Sequence, residues 1–173
     1  MEENKTLKEV KEFIREHFKE GLNCPACGQN VKLYEYKLFR MSAIALIYLY
    51  KLTRDNPEKV YFHVSKYAEA IPGKKIRSPH FAELRFWGFI VAKDRKTKES
   101  NASGFWAITE KGKNFVEGRI SVPERIMMFN NKWQGFAGEA IMIEDAMENS
   151  FEYQEMMGDI LSIIEKSKQA RLL

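Results

Sequence analysis

A chain of 173 residues and 20.3 kDa has room for one domain with appendages. Its 45% hydrophobic, 13% aromatic and 30% charged residues, with only 10 Gly and 5 Pro, exclude bulk disorder and a collagen-like chain. The net charge is +4, but residues 73–103 carry Lys74, Lys75, Arg77, Arg85, Lys93, Arg95, Lys96 and Lys98 against Glu83, Asp94 and Glu99, while residues 137–173 are acidic overall.

In chain order, Thr6-Leu7-Lys8-Glu9 has the form of a capping box. Leu7, Val10, Phe13, Ile14 and Phe18 follow at helical spacing, with Gly21 placed to end that helix. Cys24-Pro25-Ala26-Cys27-Gly28 then forms a turn, and residues 31–36 suit a strand. Residues 38–52 are apolar on nearly every face and predict a buried helix, stopped by Asp55-Asn56-Pro57. Its apolar stretch, residues 41–50, falls short of the ~20 residues of a membrane span. A short strand is expected at 60–62 and a short helix over 65–71.

Ser78-Pro79 gives a cap followed by proline at the first helical position, so a helix is expected from 78 to 87 with Gly88 as its left-handed exit. Residues 89–93 and 104–108 read as strands around a polar loop, and Thr109 caps a helix over 110–116 closed by Gly118. Residues 125–136 read as a hairpin around Asn130-Asn131. Met156, Met157, Ile160, Ile163, Ile164 and Ala170 define a last amphipathic helix, interrupted by Gly158. The charged start, with no apolar run behind it, reads as leaderless, and two cysteines in such a chain point to a reducing, cytoplasmic setting.

The order helix, strand, helix, helix, strand, loop, strand over residues 38–108 is that of a winged helix-turn-helix. The expected fold class is therefore α+β: a winged helix-turn-helix core at 38–118, an N-terminal helix and Cys-x-x-Cys turn at 1–37, and an extra β-hairpin and C-terminal amphipathic helix at 119–173. In this arrangement the third helix enters the major groove and the wing touches the backbone. Phe81, Leu84 and Trp87 fall on the inward side of the 78–87 helix, and Ser78, Ala82, Arg85 and Phe86 on the presented side. Arg85 is a candidate guanine reader, with Ser78 beside it. Lys74, Lys75 and Arg77 before the helix, and Lys93, Arg95, Lys96 and Lys98 on the wing, are candidate phosphate contacts. Glu83 and Phe86 oppose that reading, because an acid repels phosphate and a presented aromatic marks a protein contact. The alternative is therefore a protein-interaction module docking through Phe86 and through Met156, Ile160 and Ile164 of the last helix, which also suggest a homodimer.

Cys24-Pro25-x-Cys27-Gly28-Gln29-x-Val31-Lys32-x-Tyr34, Phe62-His63-Val64, Leu84-Arg85-x-Trp87-Gly88, Thr109-Glu110-Lys111-Gly112, Val122-Pro123 and Asn130-Asn131-Lys132 together resemble a family of small proteins of tailed phages and prophages. The resemblance covers roughly residues 20–157 and carries no established activity. It implies a phage protein working in a bacterial cytoplasm. The two readings of its role, a DNA-binding or transcription regulator and a module that docks on a host machine or defence system, come from the fold and the charge.

The cysteine pair has the form of one zinc knuckle, but a closed zinc site needs four ligands and the chain has no third cysteine. His17, His63, His80, a carboxylate or the same pair from a second copy are the candidates to complete it, and Cys24, Cys27 and His17, seven residues before Cys24, form the expected set. A metal-free turn is the competing reading, and His63 and His80 read as core histidines. No phosphate loop, His-Glu-x-x-His, nucleophile elbow or dinucleotide fingerprint is present, so no enzyme is expected. Glu144, Asp145 and Glu148 read as a surface patch.

Overall fold

The computed structural model describes residues 6–64, 78–94 and 104–158, with the backbone alone for residues 78–80. Helices and strands are mixed along the chain, which is an α+β protein. The chain divides into two compact units. One contains Met1–Lys37 with Arg125–Ala137, and the other Leu38–Glu124 with Gly138–Leu173.

The first unit opens with helix α1 (Leu7–His17). Thr6 and Glu9 cap it reciprocally: the Thr6 hydroxyl oxygen accepts the Glu9 N–H at 3.3 Å, and the Glu9 carboxylate accepts the Thr6 N–H at 2.7 Å. Strands β1 (Leu22–Asn23) and β2 (Asn30–Val31) pair antiparallel and enclose the cysteine turn. The single strand expected over 31–36 is broken. After Val31 the chain leaves β1, and β3 (Tyr34–Lys37) pairs instead with the distant strand β7 (Val122–Phe129). Strand β8 (Lys132–Ile141) completes the order β3-β7-β8. Asn130 and Asn131 turn the hairpin with φ of 47° and 58°, left-handed values that Asn tolerates and a two-residue hairpin requires. The Phe18 ring, just past α1, lies tilted against Phe129 with centroids 4.4 Å apart, tying the helix end to this sheet.

The second unit is organised around α2 (Arg40–Asp55), which buries Ser42, Ala43, Ile44, Ala45, Leu46, Ile47, Leu49 and Tyr50. So many consecutive buried positions mean contact on most of the helix surface. α2 packs against α3 (Ser78–Glu83), β6 (Phe105–Ile108), α4 (Glu110–Val116) and α5 (Ile143–Met147). A second antiparallel sheet has the order β4-β6-β5, from β4 (Phe62–His63), β5 (Ile90–Ala92) and β6. Phe62 lies opposite Trp106, and Ile90, Val91 and Ala92 lie opposite Ile108, Ala107 and Trp106. Among the described residues, no helix is long and apolar enough to cross a membrane.

The expected third segment, residues 119–173, is divided. Its residues 125–137 complete the sheet of the first unit, and α5 and α6 (Ser150–Met157) belong to the second. Arg40 pairs with Glu152, Lys51 Nζ donates to the Met156 carbonyl at 2.5 Å, and the Tyr153 hydroxyl donates to the Val116 carbonyl at 2.7 Å. The helix containing Met156 and Met157 ends at Met157 rather than continuing through Gly158, whose φ of 42° places it outside helical geometry. Ile160 and Ile164 lie outside the described residues, as does the short helix expected over 65–71.

Candidate nucleic-acid interface and cysteine pair

The strings around Gly88 and Thr109 are two halves of one joint. α3 is continued by a tight 3-10 turn, Leu84–Trp87, in which residues three apart share a side. Phe81, Leu84 and Trp87 are all buried. Gly88 exits with φ of 76°; its N–H donates to the Arg85 carbonyl at 3.0 Å and the Phe89 N–H to the Leu84 carbonyl at 3.2 Å. These two bonds form a Schellman cap, with Leu84 and Phe89 as its buried apolar pair. The Thr109 hydroxyl donates to the Gly88 carbonyl at 2.6 Å and accepts the Gly112 N–H at 3.0 Å. The Thr109 N–H donates to the Phe89 carbonyl at 2.9 Å. A Cβ on Gly112 would stand 2.3 Å from the Phe89 carbonyl oxygen, so this position needs glycine for close approach. The joint fixes the turn carrying Arg85 to the hairpin β5–β6, and the Trp87 indole N–H anchors it by donating to the Pro123 carbonyl at 2.8 Å.

Arg85 is exposed, and its guanidinium lies 4.7 Å from the centre of the Phe86 ring. Phe86 is half-buried rather than presented, which corrects the expectation of an open aromatic there. The contact places the arginine charge against the ring in a cation–π interaction. Lys93, just past β5, is exposed, with Nζ 5.6 Å from the Phe105 ring and 5.9 Å from the Tyr61 ring. Ser78 begins α3, but its side chain lies outside the described residues, as do Lys74, Lys75, Arg77, Arg95, Lys96 and Lys98. Of the expected contacts, Arg85 and Lys93 are therefore described, both open to solvent.

In the first unit, Cys24 and Cys27 close the turn between β1 and β2. The Cys24 N–H donates to the Gln29 carbonyl and the Gly28 N–H to the Cys24 carbonyl, both at 2.8 Å. The Cys24 sulfur accepts the backbone N–H groups of Ala26 and Cys27 and the Cys27 thiol, and these bonds hold the Cys24 thiol below its ordinary pKa. Neither cysteine is joined in a disulfide. They line a groove of about 520 Å³ with Lys11, Arg15, Lys32 and Tyr34 among its walls. The sequence carries a signal for this groove that its motifs do not: Lys11 and Arg15 are four apart on α1 and so share a face.

Among the described residues, no group of three or more His, Cys, Asp and Glu side chains is close enough to hold a metal ion. His17 is not brought to the cysteine pair. Its Nδ1 bonds the Phe13 carbonyl at 2.8 Å, one turn back, and its ring stacks on Phe13 at 4.4 Å. His63 is half-buried and packs edge-on against Phe105 at 4.9 Å. Asp145 is used locally, its carboxylate accepting the Met142 N–H at 2.8 Å.

Comparison with protein-family models, with curated proteins and with solved structures found no match.

Proposed function

We propose that the second unit is a winged helix-turn-helix module and that the chain is a small phage-encoded regulator that binds duplex DNA. The order α2, β4, α3, β5, β6, with the strands arranged β4-β6-β5, supports the winged-helix reading. The observation that carries the binding reading is Arg85, exposed and in cation–π contact with Phe86 at the end of a helix whose other side is buried. A guanidinium already resting against a ring loses less conformational freedom on making two parallel hydrogen bonds to a guanine edge. Lys93 begins the β5–β6 connection, whose sequence adds Arg95, Lys96 and Lys98, a set suited to phosphates. Chemical catalysis is no part of this reading.

Fluorescence anisotropy with a labelled duplex pool tests it. The full chain binds, and Arg85→Ala weakens selected sites by about 1–3 kcal/mol while relaxing base preference at one position. Lys93→Ala weakens all sequences alike and lowers the salt slope by about one. Absence of duplex binding, with a stoichiometric bacterial protein captured after nuclease treatment, would replace this reading by the protein-docking alternative.

A further inference from the structure

We infer that the Cys24–Cys27 turn is half of a zinc site completed by the same turn of a second copy, so that two chains share one tetrathiolate ion. The inference is independent of the DNA reading, since it concerns the first unit alone.

Three observations lead to it. Both sulfurs come from one short turn, closed by the Gly28 N–H on the Cys24 carbonyl and the Cys24 N–H on the Gln29 carbonyl, and both line the same groove, so a single ion can reach both. Cys27 is exposed and Cys24 half-buried, which leaves the pair open to an incoming surface. The charge of the rim then selects among completions. Lys11, Arg15 and Lys32 line the groove with the cysteines, and none of its lining residues is a carboxylate.

Two thiolates balance the charge of Zn²⁺ and leave nothing for the rim to neutralise. Four thiols that lose their protons on binding give a complex of net charge −2, which a cationic rim on each copy stabilises. A histidine pair would leave the complex neutral and gain nothing from the rim; a carboxylate pair would reach the same charge, but thiolates are the softer ligands that select zinc. The chain has only two cysteines, so four sulfurs require two chains.

The test uses the full-length chain, reduced and stripped of metal, titrated with Zn²⁺ and in parallel with Co²⁺ while solution mass is followed by light scattering. The expected result is saturation at one ion per two chains, a twofold rise in mass on zinc addition, and its reversal by a chelator. The cobalt complex should show the intense sulfur-to-metal charge-transfer absorption of four thiolates. Cys27→Ser should abolish binding and the mass change together while its urea unfolding midpoint without metal stays unchanged. Lys11→Glu with Arg15→Glu should weaken zinc binding on the order of tenfold through loss of the cationic rim. Saturation at one ion per chain in a monomer, zinc binding that survives Cys27→Ser, or no zinc binding at all would each overturn the inference.

Discussion

Gly112→Ala tests the joint between helix and hairpin, because the ordinary expectation and the structural one have opposite signs. In an unobstructed helix, alanine is favoured over glycine by about 0.8–1 kcal/mol. Here the new Cβ would stand 2.3 Å from the Phe89 carbonyl oxygen and 2.9 Å from Ile108 Cγ1. That oxygen cannot swing aside cheaply, because it accepts the Thr109 N–H at 2.9 Å and sits within 3.1 Å of the Thr109 hydroxyl, whose one proton goes to the nearer Gly88 carbonyl. Relief requires moving backbone by roughly 1 Å in a well-packed core, which costs about 1–3 kcal/mol. The strained hydrogen bond from the Thr109 N–H adds about 1 kcal/mol. Subtracting the propensity gain leaves a loss of about 1–3 kcal/mol. Urea denaturation followed by far-UV circular dichroism should show a lower midpoint at similar slope. The thermal midpoint should fall by roughly 3–12 °C. A midpoint equal to or above that of the parent would refute the close approach of α4 to β5.

Trp87→Phe removes the indole donor to Pro123 and part of a fully buried ring, and should cost about 2–3 kcal/mol in urea denaturation. Asn131→Gly, at φ of 58°, should leave the hairpin intact and raise the thermal midpoint by a few degrees, corresponding to about 0.5–1 kcal/mol. Alkaline pH should destabilise the second unit. Burial first, then Glu144 and Glu117, pushes the Tyr153 phenol up to about 12, and burial with the Glu117 hydrogen bond raises Tyr50 as well. A raised phenol pKa stabilises fully below the unfolded value near 10 and is lost as pH climbs through the folded one. Unfolding midpoints should therefore decline between pH 10 and 12, and Tyr153→Phe should flatten that decline. An unchanged pH profile in the variant would contradict the burial of this hydroxyl.

Local chemistry made several elements legible in the sequence. The Thr6–Glu9 box, the apolar α2, the Ser78-Pro79 start, the Gly88 exit, the Thr109 cap and the Asn-Asn turn each act within a few residues, and each appears near its expected place. What was hidden depends on distant partners. Strand β3 is defined by pairing with β7, which no spacing near Tyr34 reveals. Gly112, in the first turn of α4, shows its need for glycine only once the Phe89 carbonyl is seen against it. Helices α5 and α6 were concealed by their acidic exposed positions, although Asn149 followed by Glu152 was an available cap signal, and the Asn149 side chain does accept the Glu152 N–H at 3.2 Å. For the candidate sites, residue type alone marked Arg85 and the cysteine pair. The Phe86 contact with Arg85 and the cationic rim around the cysteines required the fold.

The most direct test of the DNA reading is the salt dependence of duplex affinity for the intact chain. Two phosphate contacts alone lower affinity by about tenfold between roughly 50 and 200 mM monovalent salt, and each further contact steepens the slope by about 0.9 in log–log form. The account expects a fall of at least that size, with the slope reduced in Lys93→Ala. An affinity that stays flat across that range, or a duplex that does not bind at the lower salt, would contradict it.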